Sequence, residues 1–408
     1  MLEVKVERCA GIDVHKKFVM VCVMIGLAEQ KPASEVRRFG TSVPELNRLK
    51  AWLLERGCRE AVMESTGSYW KPVFNILEGS LGVILANPEQ VKALRGKKTD
   101  PKDCRWLAGL LRHGLVQPSF IPPRDIRELR DLTRRRRTLM REGASERNRV
   151  QKILEDANVK IGNVLTNVFG MSGQAMLEAL LENQLNAEQM ADLAQGRLRP
   201  KIPQIIEALE GHSMKDHHRM LLRQILKHMA FIEDMVSELD KEIWEKLGPY
   251  EKQVELACSI PGIGRDAAAS ILAETGPDMS EDGPFGSCHH LASWSGICPG
   301  NNESGGKRKS GHTRKGNRWL RATLAQTALA GAAKKNSAFR DRYQRLKPRR
   351  GPQRAATAVA HAQLIALYWV LRNGVPYQEQ VRKIDQQRRD SLIRHHLKRL
   401  GELGYKSA

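Results

Sequence analysis

The sequence predicts a mixed α/β domain followed by a longer, mainly helical region, and three observations carry that expectation. Over the first 120 or so residues, strand-like and helix-like segments alternate. From Arg124 to about Tyr250 the apolar residues keep helical spacing. Beyond that, a stretch rich in glycine and basic residues leads into a basic helical tail. With 408 residues, 41% of them hydrophobic, the chain can build two or three domains with buried cores.

Val4 to Asp13 reads as a strand, Phe18 to Ile25 as its hairpin partner and Glu35 to Gly40 as a third strand. "VPELNRLKAWLLERG" has helical spacing and a terminal glycine, "REAVMES" returns to strand, "YWKPVFNILEG" to helix and "GVILANP" to strand, before a helix from Pro101. This order, βββαβαβα, matches the ribonuclease H-like arrangement, in which carboxylates sit at strand ends and on a late helix. The longest apolar run, Phe18 to Ala28, is too short to span a bilayer. Glu3, Glu7 and Asp13 ahead of it, with no small-residue cleavage site after it, argue against a secretory signal. The seven cysteines form no C-x-x-C pair and fit buried thiols in a reducing cytoplasm.

In the middle region Leu222, Ile225, Met229, Ile232, Val236, Leu239 and Ile243 alternate spacings of three and four, a heptad seam that predicts an antiparallel helical pair or a dimer. The expected divisions are an α/β domain over 1–123, a helical region over 124–250, a C-terminal domain over 251–375 and a basic accessory tail over 376–408. Lysine and arginine total 67 against 46 acidic residues, a formal charge of +21, which points to a polyanionic partner. Charge alone does not separate DNA from RNA, or either from an anionic membrane.

Asp13 closes the first strand, and Glu64 closes a later strand expected to lie beside it. Asp100 and Asp103 flank Pro101 at a helix start, and their separation by three places both on one face. Four carboxylates would make an oxygen-rich site for Mg²⁺, with Mn²⁺ a possible substitute. Each also has a plain role: Asp100 as an N-cap before a proline, Asp103 at the third helical position, Glu64 ending a strand, Asp13 beginning a turn. Tyr69 and Trp70 follow Glu64; core packing is the commoner fate of such aromatics, with base stacking or a tyrosine nucleophile left open.

"SIPGIGRDAAASILAETG" reads as a helix-hairpin-helix in which Gly262 and Gly264 let backbone N–H groups approach a phosphate, although the same pattern also serves as a tight turn. In "ESGGKRKSGHTRKGNRWLR", Ser304 precedes Lys307, Arg308, Lys309, Arg314, Lys315, Arg318 and Arg321. A hydroxyl among such cations can attack phosphorus once its proton is removed; a solvated linker is the plain alternative. Ser295 and Ser310 are secondary nucleophile candidates. Arg134, Arg135, Arg136 and Arg137 form either a nucleic-acid groove or a solvated, salt-bridged helix face. Lys97 and Lys98, just before the acidic pair, join the expected nucleic-acid contacts. Cys288, His289, His290 and Cys298 lack a C-x-x-C companion, and no structural zinc is expected there.

"GIDVHKK", "MESTGSYW" and "KTDPKDCRWLA" resemble, in order and spacing, the Asp, Glu and Asp-x-x-Asp motifs of the IS110-family transposases, in particular the IS1111-like branch. "PGNNESGGKRKSGHTRKGNRWLR" resembles that family's C-terminal block, and Ser304 aligns with the serine held to be its nucleophile. The sequence departs at His312-Thr313, where many members carry an Arg-Ile or similar pair, and it lacks a clear counterpart from about 375 onward. The resemblance implies a RuvC-like ribonuclease H-fold domain whose Asp13, Glu64, Asp100 and Asp103 bind Mg²⁺, and it tips Arg134 to Arg137 toward nucleic acid. It further implies an active site composed between protomers and a bridge RNA that pairs with double-stranded donor and target DNA. A dimer that becomes a tetramer at synapsis, in the bacterial cytoplasm beside the nucleoid, completes the expectation. Two rivals stay open: a RuvC-like, Holliday-junction or other structure-specific nuclease that uses water, and a non-catalytic nucleic-acid-binding protein.

Overall fold

The computed structural model describes residues 3–27, 30–64, 67–86, 100–298, 302–310, 313, 316–379 and 386–403. The chain forms two compact units, Met1–Ile121 and Pro122–Ala408.

In the first unit, β1 (Arg8–Val14), β2 (Phe18–Ile25), β3 (Ala33–Gly40), β4 (Glu60–Glu64) and β5 (Gly82–Ala86) form one sheet in the order β3-β2-β1-β4-β5. β1, β2 and β3 pair antiparallel, whereas β1 with β4 and β4 with β5 pair parallel. Among the described residues, the unit also holds helices α1 (Val43–Glu55), α2 (Trp70–Leu77) and α3 (Asp100–Arg112). β1 starts at Arg8 rather than at Val4, because the N–H groups of Lys5 and Val6 donate to the carbonyl of Arg112 at 2.9 and 3.2 Å, closing the end of α3 instead of extending the sheet.

Both faces of the sheet are covered, which is why its inner strands read as near-continuous apolar runs. On one face Ala10, Ile12, Val14, Ala61 and Met63 pack against Leu46, Leu49 and Leu53 of α1 and Val73, Phe74 and Leu77 of α2. Trp70 joins that core, edge-on to Phe74 at 5.7 Å, while Tyr69 stays exposed. On the other face Cys9, Val62 and Ala86 meet Leu107 and Leu111 of α3, and Cys22 meets Cys104 and Ala108.

The second unit begins with α4 (Arg124–Asp156), followed by α5 (Met171–Glu182), α6 (Ile202–Leu209) and α7 (Asp216–Leu247). Cross-contacts descend along α7 as α4 is climbed: Glu128 with Lys246, Arg136 with Asp240, Arg147 with Glu233, Asp156 with His218. The pair is antiparallel, so the heptad seam is met within the chain. Leu222, Met229, Ile232 and Ile243 are buried, and Ile225, Val236 and Leu239 half-buried. Residues of α5 and α6, including Met176, Leu180, Ile205 and Leu209, close over the Asp156 end.

The rest of the unit comprises α8 (Glu251–Cys258), α9 (Arg265–Thr275), α10 (Cys288–Ser295), a ribbon of β6 (Asn302–Ser304) and β7 (Lys307–Ser310), then α11 (Arg318–Ala333), α12 (Ala338–Arg350), α13 (Pro352–Asn373) and α14 (Gln386–Glu402). Past α13 the chain folds back: the Tyr377 ring stacks on Phe339 at 5.6 Å and its N–H donates to Ser259 Oγ at 2.8 Å. Among the described residues no helix is long and apolar enough to cross a membrane.

Candidate active site

Strand parity fixes where two of the predicted carboxylates point. Along β1, Ala10, Ile12 and Val14 belong to the α1/α2 core, so Cys9, Gly11 and Asp13 face α3. Along β4, Ala61 and Met63 take the α1/α2 side, and Val62 and Glu64 the α3 side. The parallel register sets Ile12 beside Met63. One step further, Asp13 and Glu64 are neighbours on the same face, at the carboxyl ends of adjacent parallel strands.

Helix α3 runs opposite to β1 on that face. Arg112 lies at Lys5 and Val6, and Cys9 Sγ donates to the Ala108 carbonyl at 3.4 Å. A Cβ on Gly11 would stand 2.1 Å from the Cys104 carbonyl oxygen. Moving along β1 toward Asp13 therefore means moving along α3 toward its start, where Asp100 and Asp103 lie, Asp103 half-buried. The negative charge of Asp13 reaches Cys104: a hydrogen bond with Cys22 and burial push that thiol up, and Asp13 adds to the effect. His15, which the sequence reading passed over, donates from Nε2 to Asp13 Oδ2 at 3.0 Å and packs its ring on Phe18 at 4.5 Å. Carboxylate oxygens are the donors a hard divalent cation takes. The oxygens of Asp13, Glu64 and Asp103 are not all within 4.8 Å of one another; among the described residues the three-ligand group that is so close is Asp156, His217 and His218. There Lys215 N–H donates to His218 Nδ1 at 3.2 Å and His218 Nε2 donates to Asp156 Oδ2 at 2.8 Å, so the imidazole ties the start of α7 to the end of α4.

In the second unit Ser304 ends β6, opposite Lys307. Gly305 and Gly306 between them have φ of +58° and +72°, the pair of positive values that a two-residue type I′ turn requires. The stretch for which a solvated linker was the plain alternative is thus a two-stranded antiparallel ribbon with the serine beside its turn. Ser295 is buried in α10 and donates to the Ala292 carbonyl at 2.8 Å. Lys307 and Arg318 are exposed. Lys97, Lys98, Arg314 and Lys315 lie outside the described residues.

The structure gives three of the four consecutive arginines internal partners. Arg134 grips Glu274 at 2.6 and 2.8 Å, Arg136 bridges Asp240 and Asp266, and Arg137 donates to the Trp319 carbonyl and Thr323 Oγ1. Arg135 faces solvent. Between α8 and α9, Gly262 (φ +90°) leaves no room for a side chain: its Cβ would fall 2.3 Å from Gly331 N and 2.4 Å from the Thr327 carbonyl oxygen. Close packing on α11 accounts for that glycine. Gly264 is exposed and is the N-cap of α9.

Strand-end carboxylates facing a helix start, in a chain of charge +21, are the layout of a nucleic-acid-processing class. Residues 10–159 match a transposase family model of the IS110 DEDD type, and residues 254–344 match the model of the IS116/IS110/IS902 transposases. The chain belongs to the IS110 family of transposases. Among curated proteins it is similar to the pilin gene-inverting proteins of Moraxella bovis and Moraxella lacunata, each 25% identical over 154 residues, covering 36% of this chain and 47% of the relative. The match thus spans about half the length of those relatives. The two family matches contain all four predicted carboxylates and Ser304.

Proposed function

We propose that the protein is an RNA-guided DNA recombinase that excises an insertion sequence and inserts it at a target. The observation that carries this reading is the placement of Asp13 beside Glu64, with the start of α3 laid against the same strand end, inside the stretch matching the DEDD transposases. Asp13, Glu64, Asp100 and Asp103 would hold Mg²⁺, or Mn²⁺ in its place, and a bound ion of that kind offsets the charge that develops on phosphate oxygens. His15 holds the Asp13 carboxylate in one orientation.

Ser304 is the nucleophile. Its Oγ forms a bond to phosphorus as the bond to the leaving strand's oxygen breaks, the serine proton is released, and the leaving oxygen is protonated. The resulting ester keeps the energy of the phosphodiester, so the strand can be rejoined elsewhere without ATP, which hydrolysis by water would not allow. Lys307, Arg308, Lys309, Arg314, Lys315 and Arg318 follow the serine in sequence and neutralise phosphates. Gly264, at the open N-terminus of α9, offers N–H groups to a further phosphate. A bridge RNA selects both DNAs by base pairing while the protein reads backbone and shape. The acting assembly is at least a dimer, and a tetramer when two DNAs are synapsed. The relatives' name, gene-inverting, describes a DNA rearrangement that the same cutting and rejoining would serve.

Incubating the protein and its element's flanking RNA with labelled target DNA tests the reading. The expected product is a protease-sensitive, serine-linked DNA that needs Mg²⁺ and disappears with EDTA. Ser304→Ala should bind RNA normally yet give neither adduct nor cleaved strand; continued cleavage by that variant would instead mark a nuclease using water.

A further inference from the structure

Glu274, 2% exposed, lies in the last turn of α9 and gathers donors from two other parts of its unit. Arg134 donates Nε and Nη2 to its two oxygens, and Arg130 Nε stands 3.4 Å away while Arg130 also donates to the carbonyls of Ala273 and Glu274 at 3.0 and 2.7 Å. The remaining donor is Asn317 Nδ2, at 2.5 Å. Asn317 Oδ1 in turn accepts the N–H groups of Trp319 and Leu320 at 3.0 and 3.1 Å, capping α11. Serine or aspartate would cap a helix equally well. An ionised aspartate has no proton to give, whereas the Asn317 amide caps through Oδ1 and donates Nδ2–H to the buried carboxylate.

Asn317 is also where the basic stretch that carries Ser304 rejoins the helical body. One residue earlier, a Cβ on Gly316 would stand 2.3 Å from the Ser295 carbonyl oxygen, so the backbone is pressed onto the end of α10. Arg321 Nη2 donates to Thr313 Oγ1 at 3.1 Å, Arg137 reaches the Trp319 carbonyl at 3.2 Å, and the Arg134 guanidinium covers the Trp319 ring at 5.6 Å. A buried ion pair adds little net stability over an apolar filling of the same shape. What it does supply is a single geometry.

We propose that Glu274, held by Arg130 and Arg134, is a positioning residue that sets the Ser304 ribbon through Asn317, so that these two arginines serve the site from within rather than by touching phosphates. The proposal rests on Ser304 being the nucleophile. It is tested in the full-length protein with bridge RNA and labelled target DNA, comparing Glu274→Gln, Asn317→Asp and the double variant, in which carboxylate and amide exchange places. Each single change should slow adduct formation at saturating DNA by about ten- to a hundredfold, the scale of a misplaced reacting group. DNA affinity should hold, and the double variant should recover most of the rate. If Asn317→Asp melts early, Asn317→Gly, which is tolerated at an N-cap and carries no side-chain donor, takes its place.

Wild-type rates in the single variants would overturn the proposal, as would a double variant no faster than the slower single. So would Arg134→Gln flattening the salt dependence of DNA binding by about 0.9 in slope, the signature of one lost phosphate contact. Failure of the serine assignment reads differently, as strand cleavage that survives Ser304→Ala.

Discussion

At the scale of single residues, Gly11 and Glu64 separate fold from chemistry. Gly11 has no side chain because the α3 backbone occupies the space a Cβ would need, 2.1 Å from the Cys104 carbonyl and 2.4 Å from Ala108 N. Gly11→Ala should therefore lift the start of α3 from β1, costing about 1 to 3 kcal/mol in urea unfolding as overpacking does. Strand cleavage should fall by more than the folded fraction accounts for, because Asp103 moves with the helix; a variant as stable and as active as wild type would refute the close approach. Glu64→Gln is the converse case. The residue is half-buried at a strand end, so stability should change by no more than about 0.5 kcal/mol. Losing a carboxylate ligand should nevertheless cut cleavage by a hundredfold or more, on the order of 3 kcal/mol of transition-state stabilisation. The positions of Asp13 and Glu64 were legible because a strand alternates with period two and both close apolar runs. The purpose of the arginine run was not: charge is visible in sequence, but Glu274 stands 140 residues from the Arg134 it neutralises.

At the scale of elements, the seam on α7 shows how far periodicity reaches. Spacings of three and four announce an apolar stripe and leave open whether the same chain or another covers it. The covering helix, α4, hides its own stripe of Ile126, Leu129, Leu139, Val150 and Leu154 among arginines and glutamates, which is why the sequence reading treated it as a charged face. Ile232, 3% exposed on that seam, should cost about 2 to 5 kcal/mol as Ile232→Ala, whereas the adjacent Phe231, 59% exposed, should cost almost nothing as Phe231→Ser; urea unfolding of the two variants checks both. Equal losses would mean that Phe231 is covered by something else in solution. The Ser304 ribbon carries a related ambiguity: Ser-Gly-Gly before a basic run reads as linker by composition, yet two glycines between short extended segments are also a hairpin signal, and the positive φ of both shows which meaning holds.

At the scale of the whole molecule, the predicted chemistry is divided between two separately cored units, the carboxylates in Met1–Ile121 and Ser304 in Pro122–Ala408. Because each unit has its own hydrophobic cluster, a substitution that disables one leaves the other folded. Asp13→Asn and Ser304→Ala should each abolish adduct formation on their own. If one protomer supplies the carboxylates and another the serine, mixing the two variants after shared refolding restores intact sites. In a two-fold dimer with random pairing, about a quarter of the wild-type number would be intact, since half the dimers are mixed and each mixed dimer carries one site without a defect. The adduct yield from such a mixture, measured against an equal amount of wild type, decides the arrangement. Recovery near that fraction places the two halves of the reaction on different chains, and a mixture as silent as its components places both on one.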